Sequence, residues 1–205
     1  QRTKLEDSPW PSLFISYIQG LNVPSFGEIV YKKVTAGLES NFFIKRFGRT
    51  RIDIQGGWID RAVPFSLLFN GRGSKNGIFS LFNRSTFQTM GLIEFYSDRF
   101  VYGFLTHNFG PLPIKSKIFR PEPRISQAVG FGSLSAPSRH SLVDFKTMEH
   151  GFYESGLMFD NVFRMKMANV AYLGFGVGVF YRYGPYHLNK GIDNWAFKFG
   201  LTATL

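Results

Sequence analysis

The chain contains no cysteine, which removes disulfide frameworks, thiolate metal sites and cysteine nucleophiles together. That absence leaves the compartment open. It also lacks any run approaching the roughly 18 consecutive apolar residues of a transmembrane helix. A membrane-spanning strand is a different matter, since it needs only roughly 9–11 residues with alternate ones apolar. No segment repeats at a period of roughly 20–50 residues, so a solenoid or propeller is not indicated. The chain opens on Gln1, with neither a Met nor a signal-peptide pattern, and the expectation is a processed chain or a fragment.

Catalytic patterns are equally scarce. His107, His140, His150 and His187 fall in unrelated segments and form no HExxH pair, so no metal signature is present. The G-x-S-x-G elbow is missing. Ser138, His140 and Asp144 are close in sequence, but triad partners are brought together by the fold and closeness along the chain carries little weight. Glu94, Asp98, Glu154 and Asp160 could serve a glycosidase, which needs two carboxyls flanking a sugar bond. Nothing in the sequence fixes their separation, and a polar strand face supplies such carboxylates as partners for Arg99, Arg164 or Arg182. We therefore expect no catalytic residue, no cofactor-binding residue, no cofactor and no metal ligand: the chain is read as not an enzyme.

What the chain has in abundance is aromatic and small. Of its 205 residues 18% are aromatic, with 24 Phe and 9 Tyr, and 22 Gly are spread along it, a composition that favours strands over helices. The length suits one domain, residues 1–205. The formal charge is +10, from 24 Lys and Arg against 14 Asp and Glu. Such a balance suits nucleic acid or anionic lipid head groups alike.

Periodicity organises the rest. Trp195, Phe197, Phe199, Leu201, Ala203 and Leu205 alternate with Ala196, Lys198, Gly200, Thr202 and Thr204, which is a strand with one apolar face. Leu173, Phe175, Val177, Val179, Tyr181 and Tyr183 share a face opposite Gly174, Gly176, Gly178, Phe180 and Arg182. Those glycines keep register with the pleat. A phosphate loop would need them in a turn leading into a helix, and the "VFYRYG" that follows has no helical period. Ile52, Ile54 and Trp58 oppose Arg51, Asp53 and Gln55; Tyr153, Leu157, Phe159 and Phe163 oppose Glu154, Gly156, Asp160 and Arg164. "FQTMGLIEFYSDRFVYGFLTHNFG" predicts two long strands turning at Ser97 and Asp98, with Phe100, Tyr102 and Phe104 on one face. "SLFISYIQGL" and "EIVYKKVTAGLES" add further strands, and "NGRGSKNG", "GPLPIKSKIFRPEPR" and "YGPYHLNKGIDN" read as loops. The second of these, residues 110–124, carries Lys115, Lys117, Arg120 and Arg124 and is too proline-rich for a strand. It suits lipid head groups or plain solvation. The aromatics run in stripes rather than interleaving with Lys and Arg, and no RNP-type motif is present, so no nucleic acid partner is expected.

The blocks "FQTMGLIEFYSDRFVYGFLTHNFG" (87–110), "FKTMEHGFYESGL" (145–157) and "GFGVGVFYRYGPYHLNKGIDNWAFKFGLTATL" (174–205) resemble the C-terminal barrel of an outer-membrane family of unknown function that carries an N-terminal carboxypeptidase-regulatory-like domain. The resemblance implies a Gram-negative outer-membrane β-barrel, of which this chain is a C-terminal portion without the regulatory-like domain. The family brings no catalytic residues. One departure is Leu205 in place of the aromatic residue on which such barrels end; the true terminus lies further on, or insertion tolerates Leu.

The expectation is thus an all-β chain, the C-terminal portion of an antiparallel transmembrane β-barrel. It would act as a scaffold, subunit or conduit in the outer membrane, beside lipid and lipopolysaccharide and other outer-membrane or periplasmic proteins. Two readings compete: a soluble β-barrel or sandwich binding an apolar ligand or single-stranded nucleic acid, and an outer-membrane hydrolase with a lumenal cluster. Alternation alone does not say which face points inward.

Overall fold

Period-two alternation and a wealth of β-branched and aromatic side chains favour pleated strands, and the chain is all-β. The computed structural model describes residues 10–22, 29–114, 116, 118–140, 146–167 and 171–204. In chain order come β1 (Ser12–Gly20), β2 (Tyr31–Ile44) and β3 (Gly48–Ile59), then five short strands. These are β4 (Phe69–Asn70), β5 (Gly73–Lys75), β6 (Phe79–Leu81), β7 (Phe87–Gly91) and β8 (Tyr96–Ser97). Long strands resume as β9 (Arg99–Asn108), β10 (Glu122–Ser133), β11 (Met148–Met167), β12 (Ala171–Tyr183) and β13 (Trp195–Thr204). Three short 3-10 turns complete the order, and no α-helix occurs among the described residues.

Nine strands form one sheet in the order β1-β2-β3-β9-β10-β11-β12-β13-β6. Every neighbouring pair is antiparallel except β13–β6, which is parallel over Phe197–Phe199. The sheet is not closed: β1 and β6 are its edges. One face is covered by the segment between β3 and β9, residues 60–98, in which β4 pairs β8 and β5 pairs β7.

The two faces follow the alternation. Ile54, Trp58, Leu157, Val177, Phe199 and Leu201 stay exposed on the outer face, while Asp53, Gln55, Glu154, Phe180, Arg182 and Lys198 are buried on the covered one. Apolar residues are not confined to the outer face. The Phe100, Tyr102, Phe104 stripe of β9 points to the covered side and packs on Phe87, whose ring centroid lies 5.4 Å from Tyr102, 5.0 Å from Phe104 and 5.0 Å from Phe152.

Two expectations are corrected. Phe87 to Ser97 is not a long strand turning into β9. Phe87, Gln88, Thr89 and Met90 are buried in succession, as befits a segment enclosed on both sides, and its strand partner is β5. Asp98 is a bend between β8 and β9 rather than part of a two-residue hairpin turn, since β8 pairs with β4; its N–H donates to Ser133 O at 2.9 Å and its carbonyl accepts from Ile59 N at 2.9 Å. The proline-rich loop is also shorter than expected. Glu122, Pro123 and Arg124 belong to β10, where the missing proline N–H is tolerated at the start of a strand, and Lys115 and Lys117 lie outside the described residues.

The glycines of β12 permit a close approach by β11. A bulge between Phe159 and Phe163, with Asn161 at φ 55°, folds the Asp160 and Asn161 side chains over β12. A Cβ at Gly174 would strike Asn161 Oδ1 and Thr202 Oγ1, and one at Gly178 would strike Met158 Cγ. Gly178→Val should therefore destabilise the chain by about 1–3 kcal/mol through overpacking. Gly191→Ala, where a Cβ meets nothing within 4 Å, should leave stability unchanged. Urea unfolding followed by tryptophan fluorescence checks both.

Candidate functional site

The covered face and the segment lying on it hold the chain's buried polar chemistry. Burying a charge without partners is costly, so each one present has to be accounted for. Glu154 of β11, 2% exposed, accepts from Gln88 N at 2.7 Å, Thr89 N at 2.9 Å and Thr89 Oγ1 at 2.7 Å. A carboxylate is suited to this, since its two oxygens offer about four acceptor positions and no donor. Lys198 of β13, 1% exposed, donates Nζ to Ser80 Oγ at 2.7 Å and to Ser74 O at 2.9 Å. Arg182 of β12 donates Nη1 to Glu94 Oε2 at 3.1 Å, its Nη2 lies 2.8 Å from Oε1, and the guanidinium carbon stands 4.7 Å from the Phe152 ring centroid.

These three residues alternate with the exposed apolar side chains of β11, β12 and β13, and all reach the same segment. They fix β5, β6, β7 and the Gly91–Phe95 bend against the sheet. Within that segment Lys75 donates to Asp193 O, and burial lowers its pKa. Phe95 stacks edge-on against Phe152 at 5.7 Å and Tyr186 at 5.1 Å. Polar and aromatic contacts thus hold 60–98 down along its length.

The carboxylates singled out in the sequence do not converge. Glu94 pairs with Arg182 as expected, and Asp98 takes Ser135 N at 2.8 Å with Arg99 Nε 3.9 Å away. Asp160 pairs with Arg124 rather than Arg164, whose guanidinium lies 4.7 Å from the Tyr172 ring centroid. Glu154 has no arginine and is spent on backbone amides. The histidines are separate: His107 contacts Thr50 and Phe47, His187 contacts Gly184, His150 faces Tyr186, and His140 closes a 3-10 turn. Asp144 lies outside the described residues. Among the described residues, no group of three or more His, Asp or Glu could hold a metal ion.

A cavity of about 240 Å³ opens on the covered face near the β2–β3 turn, and Arg49, Arg51, Arg84 and Arg124 line it with Asp53. Arg51 is paired with Glu39, and Arg124 with Asp160. The sequence reading missed this cluster. Arg49 and Arg51 share the inner face of β3, but Arg84 lies in the covering segment and Arg124 in β10, so only pairing of β3, β9 and β10 brings them together.

Glu154→Ala removes the acceptor for two backbone N–H groups and a hydroxyl, at about 1–3 kcal/mol for each group left buried and unpaired. Amide hydrogen exchange at residues 87–91 should accelerate at least about tenfold, with a smaller change in β9 and β10; equal acceleration everywhere would mean global unfolding instead. Compared with family models, curated proteins and solved structures, the chain matches none of them.

Proposed function

We propose that this chain forms part of the wall of an outer-membrane β-barrel, with residues 60–98 as a plug on its inner face, and that it acts as a scaffold, subunit or conduit rather than an enzyme. The observation that carries the reading is the outer face. Val101, Leu105, Ile125, Leu157, Val177 and Leu201 are all exposed on neighbouring long strands, a continuous apolar surface of the kind that in water marks an interaction site.

An aromatic chain rims that surface at one end. Phe131 and Tyr153 are 6.1 Å apart, Tyr153 and Tyr183 6.1 Å, Tyr181 and Tyr183 6.5 Å, and Tyr181 and Trp195 4.7 Å. Tyrosine and tryptophan at strand ends suit a membrane–water interface, with the ring in the apolar layer and the polar atom in water. The long strands run 9–20 residues, enough to cross a hydrocarbon layer.

The connections supply a second support. At the end where β3 begins, residues 45–47 join β2 to β3 and 168–170 join β11 to β12; at the aromatic end the connections are 21–30, 60–98, 134–147 and 184–194. Short connections at one end and long ones at the other are the habit of outer-membrane barrels. The 109–121 connection is the exception. In this reading the bare edge of β1 is closed by further strands, since lipid offers no partner for an unpaired backbone.

Val177 is 46% exposed and paired with Phe159 and Phe199, so Val177→Arg separates the readings. In lipid the change should cost up to about 2–4 kcal/mol and reduce folding into bilayer vesicles. In a water-soluble protein it should shift stability by no more than about 0.5 kcal/mol, and unimpaired folding of the variant, with no need for detergent or lipid, would remove the membrane reading.

A further inference from the structure

We propose that the arginine-lined cavity binds a compact phosphorylated anion. Four guanidiniums from three separate stretches of chain face one cavity: Arg49 and Arg51 from β3, Arg84 from the covering segment and Arg124 from β10. Like charges gathered in this way repel one another, and an anion seated among them relieves that repulsion.

Two of the four arginines already hold a carboxylate of the chain on the same covered face. Glu39 holds Arg51 and Asp160 holds Arg124, which orients both guanidiniums while leaving other donors of each fork available. Glu122 is taken by the amides of Asn161 at 3.0 Å and Asn108 at 3.4 Å. Asp53 does line the cavity, but it is buried and both its oxygens accept from Gln55 Nε2, at 3.0 and 3.2 Å. Four guanidiniums and one carboxylate therefore front the space, which leaves its lining positively charged.

The fourth arginine is presented by a constrained loop. Ser85, beside Arg84, holds φ at 53°, a left-handed conformation that costs a non-glycine residue on the order of 1 kcal/mol and persists where surrounding structure imposes it. Arg124 also stands over the Phe82 ring, 5.2 Å from its centroid, so the loop and β10 are joined across the cavity mouth. Planar guanidinium forks match phosphate oxygens two at a time. The volume of about 240 Å³ lies below the roughly 300 Å³ at which drug-sized sites begin, which selects one or two phosphate groups rather than a nucleotide or an oligosaccharide. The lining groups all belong to this chain, so the inference stands apart from the membrane reading.

Phosphate groups of this size come free in solution or on a lipid head group, and two arms distinguish them. In the first, the full chain in maltoside detergent is titrated with inorganic pyrophosphate by calorimetry. In the second, it is titrated with mixed micelles holding a diphosphorylated lipid or its dephosphorylated form. Arg84→Gln tests the cavity because Arg84 is an exposed loop residue and its loss leaves the sheet intact; Arg99→Gln, an exposed arginine outside the cavity, is the control. We expect one saturable site, weakened about tenfold or more by Arg84→Gln, as loss of a charge-assisted contact implies, and unaffected by Arg99→Gln. Binding of pyrophosphate assigns a soluble anion, and binding of the phosphorylated lipid alone assigns a head group. Absence of binding in both arms, or equal loss in the two variants, overturns the proposal.

Discussion

Glu154 against the amides of Gln88 and Thr89 is the contact on which the covered face depends. A carboxylate at 2% exposure is tolerable only because three donors within 2.9 Å replace its water. Those donors lie in β7 between its pairings with β5 at Phe87 and Gly91, where the ladder is irregular and the carboxylate takes the Gln88 and Thr89 amides. The dependence is mutual, and it extends sideways. Lys198 needs Ser74 and Ser80, Arg182 needs Glu94, and Phe87 fills the hollow between Tyr102, Phe104 and Phe152. Removing residues 60–98 would expose two buried cations, an anion and an aromatic stripe together, so wall and insert depend on each other.

That mutual dependence explains why the covered face holds every kind of side chain, while the outer face is mostly apolar, with polar exceptions such as Gln127 and Ser155, which bond each other and Tyr183. The covered face is packed by the chain itself, and packing accepts aromatic residues and paired charges equally. Among the described residues no segment covers the outer face. Leu201 at 60% exposed and Val101 at 56% would be poor choices beside water over so many adjacent strands. In the proposed membrane reading they stand beside hydrocarbon.

Much of the sheet was legible because alternation survives wherever the two faces meet different surroundings. β3, β12 and β13 put Ile52, Val177 and Phe199 opposite Asp53, Gly178 and Lys198 just as their period predicts. The stretch from Phe87 to Ser97 was misread for the same physical reason. Enclosed on both sides, it buries Phe87, Gln88, Thr89 and Met90 in a row, and its composition passes for a strand of the wall. The Phe100, Tyr102, Phe104 stripe shows the other limit, that an apolar stripe does not say whether it faces an insert or the outside. The arginine cavity was invisible along the chain because Arg51 and Arg124 meet only through the register that sets Arg51 against Thr106, and Arg124 against Asn108.

The two edges of the sheet are unequal, and the inequality bears on how a wall could be completed. Among the described residues β1 pairs only with β2, and Leu13, Ile15 and Tyr17 on one face are exposed, as are Phe14 and Ile18 on the other. At the far edge β6 already lies along Phe197–Phe199, parallel, with Phe79 stacked 5.5 Å from Phe197. A strand arriving beside β1 would meet an edge that no other described strand occupies and would cover its apolar side chains. A strand arriving beside β13 would have to displace β6, and β6 is tied through Ser80 to the buried Lys198. Within the membrane reading, extension at β1 therefore costs the insert nothing. Closure at β13 is coupled to the position of the insert, so the chemistry that holds residues 60–98 in place also governs the last seam of the wall.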